Sequence, residues 1–145
     1  MSEREGMAFD CIFSGTYTHQ LDAKGRVSLP AKFRKQLATT SVRLVPRNGV
    51  ILLFTTSEFG VWVQEFFEGG KPDRRSAKDD RTMFSLLAHA EDVEIDSAGR
   101  INVSPELCAR AGLGKEVKIV GMFDHIQIMS PEKYASLDAE SEEDL

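Results

Sequence analysis

The chain has 145 residues, 41% of them apolar, a formal charge of −5 and two cysteines. It is long enough to bury one compact core, or two small halves sharing a core, and Cys11 and Cys108 stand too far apart for a Cys-x-x-Cys site, so both are expected as free, unreactive thiols. No apolar run exceeds the five residues Val50 to Phe54 and Met1 to Gly6 is polar, so no membrane span or signal peptide is expected and the chain reads as cytoplasmic.

Residues 1 to 12 read as a loosely held extension, and Thr16 to Leu21 as a strand with Tyr17, His19 and Leu21 on one face. His19 fits a core or interface position better than a catalytic one. Next comes Leu21-Asp22-Ala23-Lys24-Gly25-Arg26-Val27-Ser28-Leu29, with an apolar residue before the Asp, a Gly where a tight turn needs positive φ, and a short alternating run after the Arg. This pattern predicts strand, hinge and strand, with Val27 and Leu29 inward and Arg26 and Ser28 outward. Pro30 is expected as the first residue of a short helix through Leu37, burying Phe33 and Leu37 and exposing Lys32, Arg34 and Lys35. Strands over Val42 to Val45 and Val50 to Phe54 flank Arg47-Asn48-Gly49, where Asn-Gly signals a hairpin. Ser57 is positioned to cap a helix whose stripe of Phe59, Trp62, Val63, Phe66 and Phe67 reads as core. Gly69 to Lys78 is a loop. It lacks the upstream Gly and the Ser or Thr of a phosphate loop, and a helix over Asp79 to Ala90 should follow with Met83, Leu86, Leu87 and Ala90 buried.

The second half restates the first. Ile95-Asp96-Ser97-Ala98-Gly99-Arg100-Ile101-Asn102-Val103 recurs 74 positions after the first hinge with the same Asp-x-x-Gly-Arg core. Phe33 aligns with Leu107, Leu44 with Ile119, Leu53 with Ile128 and Phe59 with Tyr134. The counterpart helix begins with Ser104 as cap and Pro105 and ends at Gly112. Strands over Val117 to Val120 and Ile126 to Met129 follow, then a short helix from Ser130-Pro131-Glu132 near Tyr134.

Charge separates the copies. Residues 16 to 35 carry Lys24, Arg26, Lys32, Arg34 and Lys35 against Asp22, a net of +4, whereas residues 90 to 109 set Arg100 against Glu91, Asp92, Glu94, Asp96 and Glu106, a net of −4. Five further acids crowd the last eight residues, and that segment should be dispensable for the fold. Only the first hinge suits a phosphate backbone. Features present in both copies are candidates for architecture: Asp22 and Asp96 holding the hinge through backbone N–H groups or their own arginines, Gly25 and Gly99 making the turn, and Arg100 as a structural partner. Arg26 stays open between a structural ion pair, which would explain its presence in both copies, and contact with phosphate or guanine beside Lys24, Lys32, Arg34 and Lys35, the candidate DNA-binding set. His19, His89 and His125 are scattered with no paired catalytic motif, so no enzyme is expected, and neither a metal nor a cofactor. The alternative to DNA binding is an oligomeric protein-interaction scaffold.

The repeat and its flanks resemble the MraZ family, relatives of the AbrB-type looped-hinge transcription factors. The similarity rests on Phe13-Ser14-Gly15, His19-Gln20-Leu21-Asp22-Ala23-Lys24-Gly25-Arg26 with Pro30, Asp96-Ser97-Ala98-Gly99-Arg100, and Ala111-Gly112-Leu113-Gly114-Lys115-Glu116-Val117. It departs at Met129, where Trp is common, at Ser104, which replaces the proline matching Pro30, and before Phe13, where Met7 is an alternative start. The resemblance implies a β-rich α+β fold of tandem looped-hinge, swapped-hairpin β-barrel units with short flanking helices and a pseudo-two-fold within one chain. Its divisions would be a first SpoVT-AbrB-like repeat at 13–68, a connector at 69–90, a second repeat at 91–137 and an acidic tail at 138–145. It further implies a nucleoid-associated regulator that binds double-stranded promoter DNA of the division and cell-wall gene cluster, including its own operon, as a homo-oligomeric ring of an octamer or larger, without a membrane or small-molecule substrate. A ring presents its hinges head to tail, so its operator should contain direct repeats about one helical turn apart.

Overall fold

The computed structural model describes residues 12–144; Met7 and Cys11 lie outside the described residues. Among the described residues eight strands form an α+β architecture: β1 (Thr16–Gln20), β2 (Arg26–Ser28), β3 (Ser41–Arg47), β4 (Val50–Thr55), β5 (Glu91–Glu94), β6 (Arg100–Asn102), β7 (Glu116–Met122) and β8 (His125–Met129). The helices are α1 (Ala31–Leu37), α2 (Thr56–Gln64), α3 (Ala77–Leu87), α4 (Pro105–Arg110) and α5 (Pro131–Asp144), with a 3-10 turn at Glu68–Gly70.

Six strands make one antiparallel sheet in the order β1-β7-β8-β4-β3-β5, and β2 pairs with β6 in a separate ribbon. Within each half only the hairpins β3–β4 and β7–β8 pair; β1 with β7, β3 with β5, β4 with β8 and β2 with β6 all join one half to the other. Exchanging the halves therefore reverses the strand order onto itself. β1 and β5 remain open edges, so the closed barrel expected above is not formed among the described residues. The physical reason is that β2 and β6, at three residues each, spend their ladder on one another.

Alternation along the strands sends side chains to two cores. Leu44, Leu53, Ile119 and Ile128 meet Val27, Leu29, Ile101, Val103, Phe33 and Leu107 under the ribbon, α1 and α4, all at 1% exposure or less. Phe13 and Tyr17 close edge-on around Phe33 at 5.7 and 5.2 Å. On the other face Val45, Val50, Leu52, Phe54 and Met129 pack with Phe59, Trp62, Tyr134 and Leu137 of α2 and α5. The Val50 to Phe54 run is apolar throughout because its strand is covered on both sides.

Local chemistry corrects several boundaries. Pro30 is the residue before α1, with φ −54° and ψ 139°, and its carbonyl accepts the Arg34 N–H at 3.1 Å. Thr55, not Ser57, caps α2 by accepting the Glu58 N–H at 3.3 Å, because the helix starts directly off β4. That helix ends at Gln64, so Phe66 and Phe67 lie beyond it, Phe67 buried and Phe66 39% exposed. Ser76 caps α3 through the Asp79 N–H at 3.1 Å and draws its start forward to Ala77. Of the expected inward residues on α3 only Leu86 is buried, and Leu87 is 41% exposed. The last helix continues to Asp144, well past Tyr134, since nothing in its acidic sequence stops it. Ser104, Pro105 and Gly112 bound α4 as expected, with the Ser104 hydroxyl accepting the Leu107 N–H at 3.2 Å. Asn48 and Gly49 turn the first hairpin at φ 51° and 79°. Among the described residues no helix is long and apolar enough to cross a membrane.

Candidate nucleic-acid interface

Each hinge is clamped by its own aspartate. Asp22 Oδ1 accepts the backbone N–H groups of Lys24 and Arg26, both at 2.9 Å, while Oδ2 accepts Arg26 Nε at 2.8 Å. The Gly25 N–H returns to the Asp22 carbonyl at 3.0 Å, with Gly25 at φ 81°. The second hinge repeats this: Asp96 Oδ1 takes Ala98 and Arg100 N–H at 2.9 Å each, Oδ2 takes Arg100 Nε at 3.0 Å, and Gly99 stands at φ 78°. Both of the alternatives left open for the aspartates thus operate together. The backbone N–H of the arginine is the main cause holding each carboxyl below its ordinary value; partial desolvation opposes it, and the guanidinium and a second N–H reinforce it.

This clamp uses Nε and leaves the two Nη groups of Arg26 and of Arg100 without an acceptor among the described residues, at 34% and 35% side-chain exposure. The ribbon then brings the two arginines together. Arg26 lies opposite Asn102, Val27 opposite Ile101, and Ser28 opposite Arg100. Opposed residues in an antiparallel ladder share a face, so Arg26, Ser28, Arg100 and Asn102 form the outer face and Val27 with Ile101 the buried one. The two arginines are diagonal neighbours, roughly 7–8 Å apart at the backbone. Cross-half bonds lock the arrangement: the Val103 N–H donates to the Gly25 carbonyl at 2.8 Å, and the Leu29 N–H to the Gly99 carbonyl at 2.9 Å.

The remaining basic residues divide. Lys24 is exposed on the first hinge, and Lys32 and Lys35 on α1. Arg34 instead lies over the second hinge, so near that a Cβ at Gly99 would overlap its guanidinium. The acids around Arg100 are individually partnered: Asp92 with Arg43 at 2.6 Å, Glu94 with the Ser41 hydroxyl, Glu91 with the Ser104 hydroxyl at 2.8 Å, and Glu106 with Arg110 and His89 at 3.3 Å each. Arg43 and Arg34 are first-half cations set against the second half, so part of the contrast of +4 and −4 along the sequence is offset in space. Sequence alternation already set Ser28 outward beside Arg26 and Asn102 outward beside Arg100, but it did not join the two pairs into one face. The shared Arg-x-polar spacing of the two copies was the available signal, but the β2–β6 pairing was not visible in it.

His19 is half-buried on β1 opposite Val117, and His125 stacks on Phe54 at 4.8 Å. Cys108 lies beside the first hinge; burial is the main cause that pushes its thiol up, with the Glu91 charge adding to it.

The chain matches the family model described as "MraZ protein, putative antitoxin-like" over residues 12–81 and 86–145. It is 35% identical over 133 residues to the transcriptional regulator MraZ of Corynebacterium jeikeium, covering 92% of this chain and 91% of that protein. It is 36% identical over 129 residues to the transcriptional regulator MraZ of Paraburkholderia phytofirmans, covering 86% and 87%. The similarity to the protein of the same name from Lachnoclostridium phytofermentans is 34% over 125 residues, 86% of each.

Proposed function

Because this chain belongs to the MraZ family, we propose that it is a sequence-specific DNA-binding regulator of transcription that meets DNA through the outer face of the β2–β6 ribbon. The observation that carries this reading is the pair of arginines on that face, each oriented through Nε by its aspartate while its Nη groups point free. A guanidinium held in this way is pre-organised for bidentate contact with a guanine edge in the major groove, and a two-stranded ribbon fits that groove. Arg26 leads, since Lys24 beside it adds a phosphate contact; Lys32 and Lys35 flank from α1, and Arg34 supports the second hinge and offsets its acids. The exchange of strands between halves supports the looped-hinge, swapped-hairpin reading of the two repeats, with residues 69–90 as connector.

One ribbon neutralises few phosphates and should bind weakly alone. Several subunits act together as a homo-oligomeric ring on direct repeats in the promoter of the division and cell-wall cluster, repressing the chain's own operon, in the cytoplasm and on the nucleoid. The test titrates promoter fragments with one, two and three repeats, and with five base pairs inserted between repeats to turn one site to the opposite face. Affinity should climb with repeat number and fall on insertion. Arg26→Ala should cost about 1–3 kcal/mol of binding, with Arg100→Ala acting in the same direction. Unchanged affinity in a well-folded Arg26→Ala protein would sink the interface, and indifference to repeat number would sink the ring.

A further inference from the structure

Among the apolar surfaces left uncovered in the described residues, two share no side chain and match one another. The first is on α3: Phe84 is 68% exposed and Leu87 41%, with Asp80 exposed one turn before Phe84 and its carboxylate unpartnered among the described residues. The second is a groove of about 650 Å³ between α2 and α5, floored by Leu52 and Met129, walled by Trp62 and Leu137, and rimmed by Arg47 and Lys133. Neither rim cation has a carboxylate partner among the described residues; Arg47 stacks over Trp62 at 5.8 Å and over Phe66 at 4.9 Å. Phe84 cannot fill the groove of its own chain. Its ring sits 6.2 Å from that of His89, which holds Glu106 of α4 at 3.3 Å, on the ribbon side of the sheet, whereas the groove lies on the other side.

We propose that the groove receives α3 of a second copy of this chain, with Phe84 and Leu87 seated between Trp62 and Leu137 and Asp80 set against Arg47 and Lys133. The chemistry matches on three counts. An aromatic and an aliphatic anchor enter an apolar slot beside a tryptophan, the usual makeup of an interface centre. The unpaired acid meets the two unpaired cations. Each copy carries one α3 and one groove on different surfaces, so the contact is heterologous and repeats head to tail, as a ring requires. The inference rests on the ring reading above and names the contact that builds it.

Light scattering after size-exclusion chromatography tests it with two double variants, both confined to side chains outside the cores: Phe84→Glu with Leu87→Glu on α3, and Asp138→Arg with Ser141→Trp on the groove wall. Each variant alone should elute as a folded monomer. Mixed in equal amounts they should form a dimer and nothing larger, because one sound α3 meets one sound groove. If the wild-type chain is oligomeric and either folded double variant keeps the wild-type mass, this contact is wrong while the ring stands. Two monomeric variants that do not pair on mixing also overturn it, since an isologous contact would behave so. A monomeric wild-type chain would remove the ring reading and this one with it.

Discussion

Gly25 and Gly99 are equivalent in the repeat, nearly equal in φ, and yet should respond differently to alanine. At φ 81° and 78° an L-residue is disfavoured by roughly 1–2 kcal/mol in either hinge. Beyond that the surroundings part. A Cβ on Gly25 would stand 2.5 Å from the Val103 carbonyl oxygen, a backbone atom fixed in the ribbon, and the neighbouring Val103 N–H bond to the Gly25 carbonyl at 2.8 Å would have to stretch as the strands separate. Weakening that bond adds about 0.5–1.5 kcal/mol, and displaced packing under Val27 and Ile101 adds to it. At Gly99 the obstacle is the far end of the exposed Arg34 side chain, which can swing away. Gly25→Ala should therefore cost about 2–4 kcal/mol and Gly99→Ala about 1–2, a gap of several degrees in Tm for a domain of this size. Urea unfolding of both variants, with Arg34→Ala added to Gly99→Ala, measures the difference. The double variant should lose little more than Gly99→Ala alone. Equal losses in the two hinges, or the greater loss at Gly99, would refute the reasoning from neighbouring atoms.

Asp22 and Asp96 are held below the ordinary value of 3.8, so their stabilising bonds are complete above that pH and are lost only as pH falls through the lowered values; a carboxyl-carbon NMR titration should place both midpoints below 3.8, and a midpoint at or above it would contradict the clamp. Phe123 turns the second hairpin at φ 69° and is 54% exposed, so Phe123→Gly should relieve left-handed strain and raise stability by about 1 kcal/mol in a thermal melt; a loss would mean the ring contributes packing that outweighs the strain. Ending the chain after Leu137 removes side chains of α5 that are exposed from Asp138 to Glu143, so Tm should change by less than about 3 °C while far-UV helix content falls, and a larger drop would show that the end of α5 docks on the domain.

The local units are legible in the sequence because each has a short-range cause. Asp-x-x-Gly-Arg closes on itself, Asn48-Gly49 turns a hairpin by its own backbone preferences, and Ser104-Pro105 begins a helix. Features whose cause is a partner distant in sequence are not legible there. Alternation at Val27 and Leu29 shows which side is buried but not that β6 lies alongside, and no periodicity in α3 shows that Phe84 and Leu87 face solvent while Leu86 alone is buried. Net charge over a window failed for the same reason, since Arg43 and Asp92 are 49 positions apart along the chain and adjacent across β3 and β5.

The pairing of halves also explains how a duplicated hinge can diverge in charge while keeping the same clamp. Each clamp is local, so Asp22 holds Arg26 and Asp96 holds Arg100 whatever the charge of the flanking segments. The environment of each hinge is contributed by the opposite half. Arg34 of α1 covers Gly99, while the position aligned with it in the second copy, Cys108, lies beside Asp22 and Gly25. A basic side chain thus stands over the hinge with acidic flanks and an uncharged one beside the hinge with basic flanks, which reduces the difference in potential between the two ends of the ribbon. Substitutions that charge one half are offset from the other only while the cross-half pairing persists. Electrostatics at this surface is therefore a property of the ribbon rather than of either repeat, and a single repeat cut from the chain would lose both its pairing partner and its charge balance.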